Sequence, residues 1–293
     1  MAALSQVSKT LLYSDIFDYP LTLAQVWKYL ISDKKVSQEK VEKLLRSGEI
    51  EYKNGFYFLR NRKKIVSFRQ AREKESSKKI KLAREVAKQL ELIPTIKFLA
   101  ISGSVSMENA DRDDDIDLFV VCKKDSVWLT RLLIILFLKS RGIYRSRDEK
   151  NPKNKFCLNM IIDENNLNFP TIRQNIYLAH EIAQVLPLFS RDKTYYKFMN
   201  SNEWIKKYLA NFEKKIVEET NSGFSSHLLE NFLKILRFEK VAKFIQGKYM
   251  RKPKGDEIIA QGFLAFHPKD YSSQVLKAYK TRLKINAFKT LGH

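Results

Sequence analysis

Residues Phe98–Val121 read FLAISGSVSMENADRDDDIDLFVV. An apolar run ends in Gly103-Ser104, and twelve residues beyond Gly103 a second apolar run opens with Asp115 and Asp117 on either side of Ile116. Side chains alternate between the faces of a strand, so Asp115 and Asp117 share one face. Like charges held side by side destabilise a strand. The arrangement therefore asks for something positive between the two carboxylates.

The flanks of this stretch supply a framework. Pro94 stops a preceding helix, and TIKFLAIS and DIDLFVVC read as strands. SVWLTRLLIILFLKSRG reads as a helix closed by Gly142. NKFCLNMIID is a third strand, followed by the turn cluster ENNLN. Residues 94–168 thus form one α/β unit.

Upstream, residues 1–60 show a helix starting after Pro20 and another with Ser37 as N-cap and Gly48 as C-cap. Two short strand-like runs then flank Asn54-Gly55, a hairpin signal. Helix, helix, helix, hairpin is an order that resembles a winged helix-turn-helix. Its second helix carries Lys40, Lys43 and Arg46 but also Glu39 and Glu42, a mixed charge that does not favour reading DNA. Residues 61–93 form a basic connecting helix: Arg60 to Leu90 holds 12 Lys and Arg against three Glu. Such a ridge suits a phosphate backbone. Residues 169–293 read as a helical C-terminal domain, including a long helix over SSHLLENFLKILRFEKVAKFIQGKYM. A basic turn follows at Lys248, Arg251, Lys252 and Lys254.

Across 293 residues, 54 Lys and Arg face 33 Asp and Glu, a net charge of +21. This balance favours a polyanionic partner, nucleic acid first. Two cysteines, Cys122 and Cys157, make neither a disulfide framework nor a zinc spacing, which fits a reducing cytoplasm. The opening MAALSQVSKTLLYSDIF lacks the pattern of a signal peptide. The longest apolar run, Trp128–Leu138, contains Arg131 and is too short to span a bilayer, so no stable membrane insertion is expected.

A strand, then Gly-Ser, then Asp-apolar-Asp on the next strand resembles the nucleotidyltransferase superfamily that includes DNA polymerase beta, poly(A) polymerase, CCA-adding enzymes and kanamycin nucleotidyltransferase. The matching residues are Gly103, Ser104, Asp115 and Asp117, within about a quarter of the chain. The resemblance implies an α+β fold: a minimal polymerase-beta-like nucleotidyltransferase sheet with packed helices, here with an N-terminal winged helix and a helical C-terminal domain. It implies that Asp115 and Asp117 are catalytic and hold Mg²⁺ or Mn²⁺, and that Gly103 and Ser104 position a nucleoside triphosphate. Glycine lets the backbone approach a phosphate, and Ser104 with the following amides can donate to its oxygens. Asp111, Asp113 and Asp114 read as loop solvation.

The family usually carries a third acid on a later strand. Here that strand offers Cys157, Asn159 and Ile161 on one face, with Asp163 continuing the same face about 13 Å beyond Asn159. Tyr177, Tyr195, Tyr196, Trp204 and Tyr208 read chiefly as core packing, and His180 as a structural histidine. The expected activity is transfer of a nucleotide from a nucleoside triphosphate to an acceptor hydroxyl, with an RNA 3′ end as favoured acceptor. Two alternatives stand beside it. One is the same chemistry on a small molecule or protein, as in antibiotic-modifying or antitoxin-type relatives. The other is a non-catalytic nucleic-acid-binding protein with a degenerate transferase fold.

Overall fold

A computed structural model describes residues 5–46, 50–146, 149–220, 238–250, 256–267 and 271–289. The fold is mixed α+β, with one six-stranded mixed sheet, helices on both of its faces and a separate two-stranded hairpin.

The N-terminal elements follow their caps. Ser5 caps α1 (Gln6–Ser14), Thr22 and Gln25 form a capping box on α2 (Leu23–Lys28), and Ser37 caps α3 (Gln38–Leu45) as its sequence predicts. The hairpin of β1 (Ile50–Lys53) and β2 (Phe56–Leu59) turns at Asn54 and Gly55, both at positive φ. Val7, Leu11, Leu21, Val26, Leu30, Val41 and Leu45 pack into a local core. Gly48 lies outside the described residues. The unit is also tied to the rest of the chain. Tyr19 Oη donates to Met107 O at 2.7 Å, Asn211 Oδ1 accepts from Val36 N at 2.8 Å, and Asp15 pairs with both Arg62 and Arg282.

The basic connector is one continuous helix, α4 (Ile65–Leu90). It is not uniformly an exposed basic ridge, because Arg69 and Lys79 are each only 1% exposed. Arg69 donates to Met107 O and Glu108 O, and Lys79 Nζ donates to Arg112 O, Asp114 O and Asn154 Oδ1. Arg72 grips Asp111 with a two-pronged ion pair at 2.9 and 3.0 Å. Lys74, Lys78, Lys81, Arg84 and Lys88 remain exposed. They form a stripe about 21 Å long at 1.5 Å per helical residue.

The sheet is built around β3 (Ile96–Ser102), which ends in the one-turn α5 (Gly103–Ser106), and β4 (Ile116–Cys122). The helix α6 (Val127–Ser140) crosses from β4 to β5 (Phe156–Asp163), which runs parallel to β4; every other pairing is antiparallel. The pleat then sorts the strands' apolar residues. Leu99, Ile101, Leu118, Val120, Leu158 and Ile161 meet α4 and α6 on one face. On the other face, Phe98, Ala100, Phe119, Val121 and Ile162 meet α7 (Ile176–Gln184) and α8 (Thr194–Ser201).

Residues beyond 168 are not a purely helical domain. They supply β6 (Leu186–Ser190) beside β3, and the hairpin of β7 (Asp256–Ala260) and β8 (Phe263–His267), whose β8 pairs with β5. Each strand has five residues, too short for an alternating pattern to outweigh the helical segments around it. What recruits them is the open hydrogen-bonding edge that β3 and β5 would otherwise present. Of the long helix expected near residue 250, the described part is α9 (Phe238–Met250); Arg251, Lys252 and Lys254 lie outside the described residues. The helix α10 (Tyr271–Lys289) packs back on α1 and α7 through Val275 and Tyr279. Among the described residues no helix is long and apolar enough to cross a membrane.

Replacing Lys79 with Met keeps the buried stem but leaves its three acceptors without their donor. A loss of about 2–4 kcal/mol in urea unfolding is expected, since each unsatisfied buried group costs roughly 1–3 kcal/mol. Lys81→Met, on the exposed stripe, should change stability by no more than about 0.5 kcal/mol.

Candidate active site

At the end of β3 the chain turns at Gly103 with φ +65°. A Cβ at that position would lie 2.8 Å from Asp117 Oδ2. Backbone conformation and close approach thus both demand glycine, and what it approaches is the carboxylate of Asp117. Ser104 is engaged locally as well: its Oγ donates to Asp114 Oδ2 at 3.2 Å, and Asp111 N donates to the same oxygen at 2.9 Å. Asp114 therefore organises the loop rather than merely solvating it, and Asp111 belongs to Arg72. Asp113 is exposed as expected.

The sequence-predicted pair comes together. The carboxylates of Asp115 and Asp117 and the thiol of Cys157 offer three donor atoms within 4.8 Å of one another. Cys157 stands directly across from Asp117 in the parallel β4–β5 ladder. Arg145, which follows a bridge between Tyr144 and Phe156, donates to Asp115 Oδ2 at 2.6 Å. Burial first, and then the charge of Asp115, push the Asp117 carboxyl up to about 8, with Arg145 opposing. One arginine is thus too little positive charge for two carboxylates. The donor set fits a divalent ion: the two carboxylates suit Mg²⁺ or Mn²⁺, and the thiol is a softer third donor.

The third-acid strand departs from a regular alternation. Leu118 pairs with Leu158 but Phe119 pairs with Met160, so Asn159 is the extra residue of a β-bulge. Asn159 lines the cleft and its Nδ2 donates to Ser102 Oγ at 3.3 Å. Beyond the bulge the faces exchange, so Ile161 does not share a face with Cys157 and Asp163 does not continue it. Asp163 instead pairs across from Cys122, roughly 16 Å along β4 from Asp117 at ~3.3 Å per residue. There it is buried and accepts from Asp125 N, Asn165 N and Asn166 Nδ2. It closes turns at the opposite end of the sheet and is not part of the site.

A cleft of about 520 Å³ opens over the cluster. Its walls come from α1 and the Phe17–Leu21 segment, from α7, and from α10 through Tyr271 and Val275. Four carboxylates, Asp114, Asp115, Asp117 and Glu181, face one arginine, Arg145, among the described lining residues. Tyr177 lines this cleft, whereas Tyr195 is core. His180 stacks on Tyr13 with ring centres 4.2 Å apart, and burial pushes its pKa down to about 3. It also lines the cleft, and its buried Nε2 has no hydrogen-bond partner among the described residues. Sequence reading missed Arg145, one cation among many. It also passed over Glu181, though an acid alone in the apolar helix IYLAHEIAQ is a signal.

Compared with protein-family models, with curated proteins and with solved structures, the chain finds no significant match.

Gly103→Ala should destabilise the fold by roughly 1–3 kcal/mol, the usual cost of a side chain forced into a disfavoured conformation, and should weaken divalent-ion binding in a titration. The Asp117 pKa makes a second prediction, of stability against pH. Its folded value lies above an unfolded value of about 3.9, so the protonated carboxyl contributes stability that is complete below that pH. That contribution is lost as pH rises through about 8. Metal-free protein should therefore melt at progressively lower temperature toward alkaline pH, and Asp117→Asn should flatten the curve in a thermal-shift series.

Proposed function

We propose that this protein is a metal-dependent nucleotidyltransferase, moving a nucleotide from a nucleoside triphosphate to an acceptor hydroxyl with release of pyrophosphate. The observation that carries the reading is the convergence of Asp115 and Asp117 with the Gly103 turn, which only glycine can make, at one end of the sheet. On this reading the sheet is polymerase-beta-like and the first sixty residues are a winged helix.

Asp115 and Asp117 would hold Mg²⁺ or Mn²⁺, which when bound supplies charge stabilisation for the phosphates and acidifies a hydroxyl. The chain itself does the positioning. Lys79 pins the carbonyl of Asp114 at 2.6 Å and so fixes the loop that delivers Asp115. Arg145 orients Asp115, and Gly103 leaves Asp117 uncovered by any side chain of its own. Asn159 holds Ser102 at the strand end.

For the acceptor, net charge +21 and the exposed stripe on α4 support RNA, with its 3′ end in the cleft. The cleft supports a second reading, a small molecule or protein hydroxyl, because its lining is acidic and its walls close in from α1 and α10.

The deciding assay offers each α-labelled ribonucleoside triphosphate with Mg²⁺ or Mn²⁺ to a small-RNA pool and, separately, to a pool of small polyhydroxy compounds. Label should enter one pool and fall by roughly 10²-fold or more in Asp115→Asn/Asp117→Asn. Label in neither pool, with salt-sensitive RNA binding by both proteins, would replace the reading with the non-catalytic one.

A further inference from the structure

Nucleotidyl transfer needs a group to take the proton of the attacking hydroxyl, and the cleft narrows the choice. Cys157 stands across from Asp117, where the strand would carry a third acid, and belongs with Asp115 and Asp117 to the cluster that would hold the metal. Asn159 is not a base, and Asp163 lies at the far end of the sheet. Asp114 is taken by Ser104 and Asp111, and Asp115 by Arg145. Asp117 belongs to the metal-binding cluster. His180 is too weak a base and is bonded through Nδ1 to Gln184.

Glu181 remains. It lines the cleft, and no hydrogen bond or ion pair to another described residue engages its carboxylate. Its placement is rigid. Asn175 Oδ1 caps α7 by accepting from Leu178 N at 2.9 Å, and Ile176, Ala179, Ile182 and Ala183 are buried. The neighbouring His180 ring is clamped on Tyr13, and α7 packs against α5, the turn that begins at Gly103.

We propose that Glu181 is the general base of the reaction, accepting the proton of the acceptor hydroxyl within the cleft that holds Asp115 and Asp117. The inference rests on the nucleotidyltransferase reading. As the acceptor oxygen's lone pair forms the new bond to the α-phosphorus, the bond from that phosphorus to the bridging oxygen of pyrophosphate breaks. The hydroxyl proton passes to a Glu181 carboxylate oxygen and then to solvent, and pyrophosphate departs with the electron pair. Burial pushes Glu181 up to about 7, where a carboxylate is a useful base near neutral pH. The titratable and charged groups that line the cleft with it are Tyr13 on α1, Tyr19, Tyr29, Asp114, Asp115 and Arg145 from the segments around it, Asp117 on β4, Cys157 on β5, Tyr177 and His180 on its own helix and Tyr271 on α10.

The test uses the full chain, the four α-labelled ribonucleoside triphosphates, Mg²⁺ and the same two acceptor pools. Glu181→Gln should lower kcat by about 10²–10⁴-fold. Binding of a fluorescent nucleotide analogue and the melting temperature should stay near wild type. The wild-type fall in kcat below pH ~7 should vanish in Glu181→Gln, and in Glu181→Asp should return at lower pH with partial activity. The inference is overturned if Glu181→Gln keeps kcat within about threefold with the same acid limb, or if its whole loss tracks nucleotide binding or folding. An active wild type with an indifferent Glu181→Gln defeats this inference alone. An inactive wild type whose nucleotide binding ignores Asp115→Asn defeats the nucleotidyltransferase reading and this inference together.

Discussion

Two carboxylates at the start of one strand, with a single arginine between them and neutrality, are the constraint around which this molecule is arranged. Like charges at this separation repel, and burial strengthens the repulsion by removing water. The fold does not relieve it by separating the groups; without a ligand it is relieved by a proton, which Asp117 keeps up to about pH 8. The fold holds them in place: the Gly103 turn leaves room for Asp117 where any side chain would crowd it, Arg145 grips Asp115, and Cys157 closes the third side. A divalent cation between the carboxylates is the simplest ligand that could take that proton's place and balance both charges.

The bracing reaches well beyond the cluster. The loop from Met107 to Asp115 is held from behind by α4, whose Arg69, Arg72 and Lys79 bind its carbonyls and Asp111. A buried lysine is expensive unless its three donors are met, and here backbone oxygens and Asn154 meet them. The overall charge of +21 thus divides into two functions. Some cations are internal struts for an acidic site, and others, such as those along the outer stripe of α4, are exposed and on the proposed function would set the field that a polyanion meets.

What could be read from the sequence was whatever local chemistry decides. The Ser37 cap, the Asn54-Gly55 turn and the strands bearing Ala100 and Phe119 rest on interactions within a few residues, and the structure has them where the pattern places them. Asp115 and Asp117 were legible because an acid pair in an apolar run has few structural reasons to exist. The rest depended on partners distant in the chain. Leu186–Ser190 and Phe263–His267 become strands because β3 and β5 offer them edges, which no window of their own residues records. Asp163 was misplaced because one extra residue at Asn159 exchanges the faces of everything after it. Lys79 read as one more cation of a basic ridge because its acceptors lie more than thirty positions away.

The cleft shows why the chain's two ends matter to its centre. The sheet alone supplies the acidic cluster and the Gly103 turn, both near the strand ends. The opposite wall is assembled from α1, α7 and α10, joined by packing of Leu12, Tyr13, Ile176, Val275 and Tyr279. On the proposed function, residues near the beginning and end of the described chain would shape the place of an acceptor, and the middle that of the phosphates. That wall is aromatic and carries one carboxylate, Glu181, whose own charge is disfavoured by burial. A wall of this kind favours a neutral hydroxyl over a phosphate, because its described lining residues offer stacking surface and a proton acceptor but no cation. If a polyanion binds, its backbone belongs on the α4 stripe outside, and only its terminal hydroxyl belongs within.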